Sequence, residues 1–432
     1  MKKYFKFLQK TLPTLLLVFC FSIEGATVIH AGTLLDGTGS EPTREMSIVI
    51  EDKVITRVET GYIEPQPDDT YLDLTGYFIL PGLIDMHVHL SSEYSSKSYE
   101  ESISLNASDY AIKAVANARK TLLAGFTSVR NLGDSGNVTV SLRNAISKGI
   151  VPGPRIFSSG KTISSSGGHG DPTNSLRSEL SSDPGPAQGV INNSLDSFKA
   201  VRFRYKENAD LIKITATGGV LSNAKSGQNP QMTSEEISAI VSAARDYGFK
   251  VAAHAHGAEG IKRAVIAGVD SIEHGTLMDS EGMKLMREKG TYFVPTLLAG
   301  AWVADKAMID GFFPEQIKPK ALEIGPQSKT TFAKAYQAGV KIAFGTDTGV
   351  SSHGKNAEEF YEMVDAGMPP IQAILSATKE ASILLGQNSM LGSITVGKYA
   401  DIIAVSGNPL DNIRILEAVD FVMKSGEIYK SP

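Results

Sequence analysis

Between residues 77 and 388, short apolar and β-branched runs alternate with helical stretches, and this rhythm limits the fold more than any other feature. The runs fall at 78–86, 126–129, 155–157, 211–214, 250–253, 271–273, 292–294 and 341–344. Helical segments lie between them, as at 109–123. Another opens at Thr233-Ser234-Glu235-Glu236, where Thr233 and Glu236 have the spacing of a capping box. Strands that alternate with helices are parallel strands joined by crossovers, and eight of them predict a (β/α)8 barrel. An open doubly wound sheet would carry a Gly-rich phosphate turn after its first strand. None is present.

The two ends of the chain read differently. Residues 26–76 and 389–432 are strand-rich and broken by turn residues such as Asp36-Gly37-Thr38-Gly39. They predict one small β-sandwich domain built from both ends, with residues 77–388 as the α/β barrel. Residues 1–22 stand apart from both. Lys2, Lys3, Lys6 and Lys10 precede the apolar run 15–21, the layout of a secretory signal peptide. That run is too short to span a bilayer, which takes ~20 apolar residues. Lipoprotein processing at Cys20 is the alternative, and the large Phe19 before the cysteine counts against it. Cleavage after Ser22 is expected, with export to a periplasm or the medium and no membrane span thereafter. It also removes the only cysteine. The formal net charge of -5 leaves no basic excess for a nucleic-acid partner.

Active residues of a barrel enzyme sit at the C-terminal ends of its strands, and here those ends are rich in imidazoles. His87 and His89 close the first run; two residues apart on a strand, they share a face. Lys213 interrupts the apolar run 211–214, where a charged ammonium is costly unless paired or neutralised. His254 and His274 close the fifth and sixth runs, each before a glycine-bearing turn. Asp347 closes the eighth in Gly345-Thr346-Asp347. A carboxylate there can ligate a metal and move a proton. His256 shares the face of His254 and is a candidate substrate group.

His87-x-His89, Lys213, His254, His274 and Asp347 together resemble the metal-site set of the amidohydrolase superfamily. The resemblance covers nearly all of the chain after residue 22. It implies a (β/α)8 barrel with a small β-sandwich, and two divalent metal ions, usually zinc. It also implies that Lys213 is N6-carboxylated and bridges the ions, with His87, His89 and Asp347 on the more buried one. His254 and His274 would hold the more exposed one. Residues 79–85, Ser166-Gly167-Gly168-His169-Gly170 and 254–261 are similar to the imidazolonepropionase-related, Xaa-Pro-dipeptidase-like group.

That likeness implies a metallo-carboxypeptidase or dipeptidase. A hydroxide held by the metals would cleave a C-terminal amide or peptide bond of a dipeptide or N-acyl amino acid. Asp347 would carry the proton, and His169 would hold or polarise the substrate. Arg130, Tyr205 and His353 are further substrate-binding candidates. Arg130 is followed by Asn131, where the group would carry an aspartate. Hydrolysis of a cyclic amide, imide or lactone at the same site is the alternative. One-metal relatives lack the bridging lysine, and the deaminases among them place a glutamate where Gly257 stands. Barrel hydrolases of this type often assemble, which leaves room for a homo-oligomer.

Overall fold

The computed structural model describes residues 25–174, 176–222 and 225–432, so the expected signal peptide lies outside the described residues. The chain first lays down β1 (Thr27–Leu34), β2 (Thr43–Glu51), β3 (Val54–Thr60) and β4 (Thr70–Pro81). It returns to the same sheet at the end with β14 (Ile402–Val405), β15 (Phe421–Lys424) and β16 (Glu427–Lys430). These seven strands run in the order β16-β15-β14-β4-β1-β2-β3. The small domain is thus one sheet, and it curls. Val54, at the start of β3, bridges Tyr399 just before β14. Ile29, Ile48, Ile79, Ile402 and Met423 are packed dry inside the curl.

The expected first barrel run is divided between two structures. Residues 78–81 complete β4, paired with β1 and β14. The barrel strand begins only at β5 (Leu83–Val88). Gly82 is the joint. A Cβ there would lie 2.3 Å from Thr127 Oγ1, so only glycine lets the chain pass from one sheet to the other at this closeness.

The barrel strands follow as β6 (Phe126–Asn131), β7 (Arg155–Ser158), β10 (Ile212–Thr215), β11 (Val251–Gly257), β12 (Ser271–Leu277) and β13 (Tyr292–Val294). The two-residue strands β8 (Ser164–Ser165) and β9 (Val190–Ile191) pair with each other outside this series. All neighbouring barrel strands are parallel, in sheets of three (β5-β6-β7) and four (β10-β11-β12-β13). Single bridges link the two sheets. Ile163 pairs with Ile214 on one side; on the other, Phe293 pairs with Ile342 and Val88 with Thr348. The expected eighth strand is therefore a bonded segment without a regular ladder. It donates Asp347 N–H to His87 O at 2.7 Å and accepts Met86 N–H on Phe344 O at 2.9 Å.

Helices cover the outside. The helix Ala107–Leu123 starts two residues before the expected position, because Asn106 and Asp109 form a capping box at its head. Thr233 and Glu236 form the expected box at Ser234–Asp246: Thr233 N–H donates to Glu236 Oε2 at 2.8 Å, and Glu236 N–H to Thr233 Oγ1 at 3.2 Å. Among the described residues no helix is long and apolar enough to cross a membrane.

Candidate active site

The strand ends converge on a cavity of about 230 Å³ whose lining includes His87, His89, Lys213, His254, His274 and Asp347. Residues at 87 and 89 share a face because side chains alternate along a strand. His274 and Asp347 arrive differently. Their φ angles are 71° and 56°, in the left-handed region that non-glycine residues enter at a cost of roughly 1–3 kcal/mol. Glu273 and His274, consecutive in β12, would point to opposite faces of a regular strand. The turn at His274 brings both to His87: Glu273 Oε2 lies 2.9 Å from His87 Nδ1, and the His274 ring is 4.9 Å from the His87 ring.

The hydrogen bonds of the imidazoles decide which nitrogen is free. His87 Nδ1 faces the Glu273 carboxylate, and His89 Nδ1 faces Gly133 O at 3.2 Å. His254 Nε2 faces Gly218 O at 3.0 Å. An anion or carbonyl can only accept, so each of these ring nitrogens carries the hydrogen, and the opposite nitrogen presents a lone pair. His274 Nδ1 lies 2.8 Å from Thr296 Oγ1, and His256 Nδ1 2.9 Å from Thr276 Oγ1. Burial lowers the basicity of four of these imidazoles. It pushes His87 and His256 to about 4, and His254 and His274 well below the usual imidazole value. These four rings are neutral, as ligands must be.

This creates an electrostatic conflict that a cation relieves. Asp347 Oδ1 is buried without a hydrogen-bond partner among the described residues. It sits 3.4 Å from His87 Nε2 and 3.3 Å from His89 Nε2, both lone-pair atoms. One ligand atom from each of the three residues lies within 4.8 Å of the others, the arrangement of a metal site. Burial opposes the charge on Asp347, yet the carboxyl is held below its usual value and stays ionised, with Lys213 among the groups that favour the anion. Lys213 Nζ is 3.4 Å from His87 Nε2, and burial lowers its pKa to about 8. The donor set therefore fits divalent metal.

Other expected residues divide. His169 lines the cavity, stacked on His254 with ring centres 4.3 Å apart, and its buried Nδ1 has no partner among the described residues. His256 also lines it. Arg130 does not, which corrects its expected substrate role. It lies beneath the site, donating to Met86 O at 2.6 Å, Ser271 Oγ at 3.0 Å and Glu273 Oε1 at 2.7 Å. Tyr205 is corrected too: it is exposed on the outer helix Ser194–Lys206, packed against Tyr247 and Phe249. His353 is turned away, its Nε2 donating to Ser92 O at 2.8 Å, and it does not line the cavity.

Glu273 is the residue that sequence reasoning passed over. Its signal was an acid in an apolar run directly before a site histidine. Between Arg130 and His87 it is pulled down to about 2 despite burial, so it stays an anion and fixes the His87 ring.

A parallel α/β barrel with a histidine–carboxylate pocket at its strand ends defines a metal-binding hydrolase. Residues 78–430 match the amidohydrolase family, and the chain belongs to it. It is a hydrolase acting on amide bonds. A solved Xaa-Pro dipeptidase with methionine bound in its active site is 54% identical, with a TM-score of 0.92, over 94% of this chain and 100% of that one. Ochratoxinase of Aspergillus niger is 32% identical over 94% of this chain and 87% of its own length. A prolidase solved with N-methylphosphonate-L-proline is 31% identical, with a TM-score of 0.85, over 94% of this chain and 100% of that one.

Proposed function

We propose that this chain cleaves the amide bond of dipeptides or N-acyl amino acids at a centre of two divalent ions, zinc being the expected metal. The observation that carries the reading is the convergence of six donor groups on one cavity, with ligand atoms of His87, His89 and Asp347 within 4.8 Å of one another. His87, His89 and Asp347 would hold one ion, and His254 and His274 the other. Lys213 would join them after its neutral amine adds carbon dioxide, forming an N–C bond with loss of one proton. Divalent ions at such a site acidify water and polarise a carbonyl.

The protein groups perform the rest. Asp347, ionised and 3.3 Å from His89, accepts the proton of the attacking water and returns it to the leaving nitrogen as the C–N bond breaks. The products are a carboxylic acid and an amine. His169, with its Nδ1 unpartnered among the described residues, would hold the substrate carbonyl or carboxylate. The likeness to a Xaa-Pro dipeptidase, a prolidase and an ochratoxinase supports an amide substrate. The test is a panel of dipeptides and N-acyl amino acids given to enzyme loaded with zinc, with metal content measured on the same sample. Release of free amino acid with about two ions per chain is expected. A fully loaded enzyme that opens only cyclic amides or lactones would overturn it. The lysine-rich, apolar residues 1–22 support export, checked by whether the exported protein begins at Ile23.

A further inference from the structure

The cavity lining also has an apolar side. Val220, Leu221, Ala299, Val303, Ile324 and Val350 belong to it, and Val220, Leu221 and Val350 pack in one cluster with Val303. Among the described lining residues, Lys213 and Asp347 are the only lysine, arginine or acid, and both belong to the candidate metal centre. The apolar wall is braced from behind. Val303 is packed in one cluster with Phe313, Ile317 and Ala321, and Tyr94 and Trp302 lie against them. The helices Leu297–Ala307 and Lys318–Ile324 approach closely: a Cβ at Gly325 would lie 2.9 Å from Gly300 O.

The loop bearing Val220 and Leu221 is tied to the same helices. Lys320 Nζ donates to Gly219 O at 3.1 Å and to Ser222 O at 2.5 Å. This fixes the loop against those helices. A lysine or arginine side chain entering there would lose water and find no spare carboxylate among the described lining residues. A glutamate would lose water as well, and outside the candidate metal centre the described lining residues offer it no lysine or arginine.

We infer that this side of the cavity is a specificity pocket for a neutral, apolar amino-acid side chain, with Val303 and Ile324 as its determinants. The inference rests on the amide-hydrolase reading and names the substrate class within it: amides of aliphatic amino acids, with cationic and acidic ones rejected. Neither residue is a candidate metal ligand, so both act on substrate choice through packing and desolvation.

The test is calorimetric titration of the zinc-loaded full chain with free L-leucine, L-lysine and L-glutamate as product ligands. Their α-amino and carboxylate groups are common to the series, so differences report the side chain. Leucine should bind on the order of 100-fold tighter than lysine or glutamate. Val303→Asp should narrow or reverse the gap between leucine and lysine by at least about tenfold, with metal content unchanged. Should that variant fail to fold, the wild-type ranking still decides. Lysine or glutamate binding as tightly as leucine overturns the inference. Turnover plays no part in this ranking, so failure of the hydrolase reading is scored separately, by the substrate panel.

Discussion

Arg130→Met removes the cation from beneath the candidate metal centre while keeping much of the side chain's apolar bulk. In the wild type the guanidinium is 2% exposed and lies 2.7 Å from a Glu273 carboxylate that is 0% exposed. Its loss leaves Glu273 with Ser271 Oγ and His87 Nδ1 as partners. Breaking a buried pair from one side costs roughly 3–5 kcal/mol, because the remaining charge is uncompensated. That is a large part of a total stability of roughly 5–15 kcal/mol. The second effect falls on metal. Glu273 orients the His87 ring and raises its basicity, and losing such support lowers metal affinity roughly 10–100-fold, about 1.4–2.7 kcal/mol. Urea denaturation of metal-free protein reads the first effect, and competition with a chromogenic chelator reads the second. Arg130→Met combined with Glu273→Gln should regain part of the lost stability, since no orphaned anion remains. An Arg130→Met protein with an unchanged denaturation midpoint and unchanged metal affinity would refute the coupling between Arg130, Glu273 and His87.

Asp347→Asn removes the proton carrier, and kcat should fall by a factor of about 10²–10⁴ with the fold kept; unchanged turnover would rule out that role. Lys213 should carry the mass of one added carbon dioxide in native mass spectra of metal-loaded protein and lose it on acid denaturation, and an unmodified lysine in active, loaded enzyme would end the bridging proposal. Burial, with Arg155 nearby, lowers Lys424 from 10.5 to about 8, where its ammonium donates to Gly153 O. The unfolded chain then binds more protons than the folded one between those two values, so stability rises with pH across that window. Lys424→Met should flatten the rise in denaturation midpoint, and an identical slope in both proteins would contradict it.

The parts of the site that sequence made visible obey local rules. Apolar runs spaced by helices give parallel strands, alternation puts 87 and 89 on one face, and a lysine amid isoleucines marks a costly burial. Arg130, Tyr205 and His353 had no such rule behind them. Arg130 ends a strand as His87 does, yet its side chain reaches down to Ser271 and Glu273 rather than into the cavity. Tyr205 lies eight positions before Lys213 in sequence, but on the outer face of a helix. The eighth strand was correctly sited and lacks a regular ladder, since its bonds are made singly to β13 and β5.

The sequence by itself determined the α/β alternation and the strand-rich character of both chain ends, and it singled out histidines, a lysine and an aspartate at strand ends as candidate donors, because periodicity and burial cost act over a few residues. Only the tertiary structure decided which nitrogen of each imidazole is free. It also set Glu273 between Arg130 and His87, and it built the apolar wall from Val220, Val303 and Ile324. Those outcomes join residues about 20 to 190 positions apart. Such distant partners are fixed by barrel closure and by the left-handed turn at His274, and no local pattern records either.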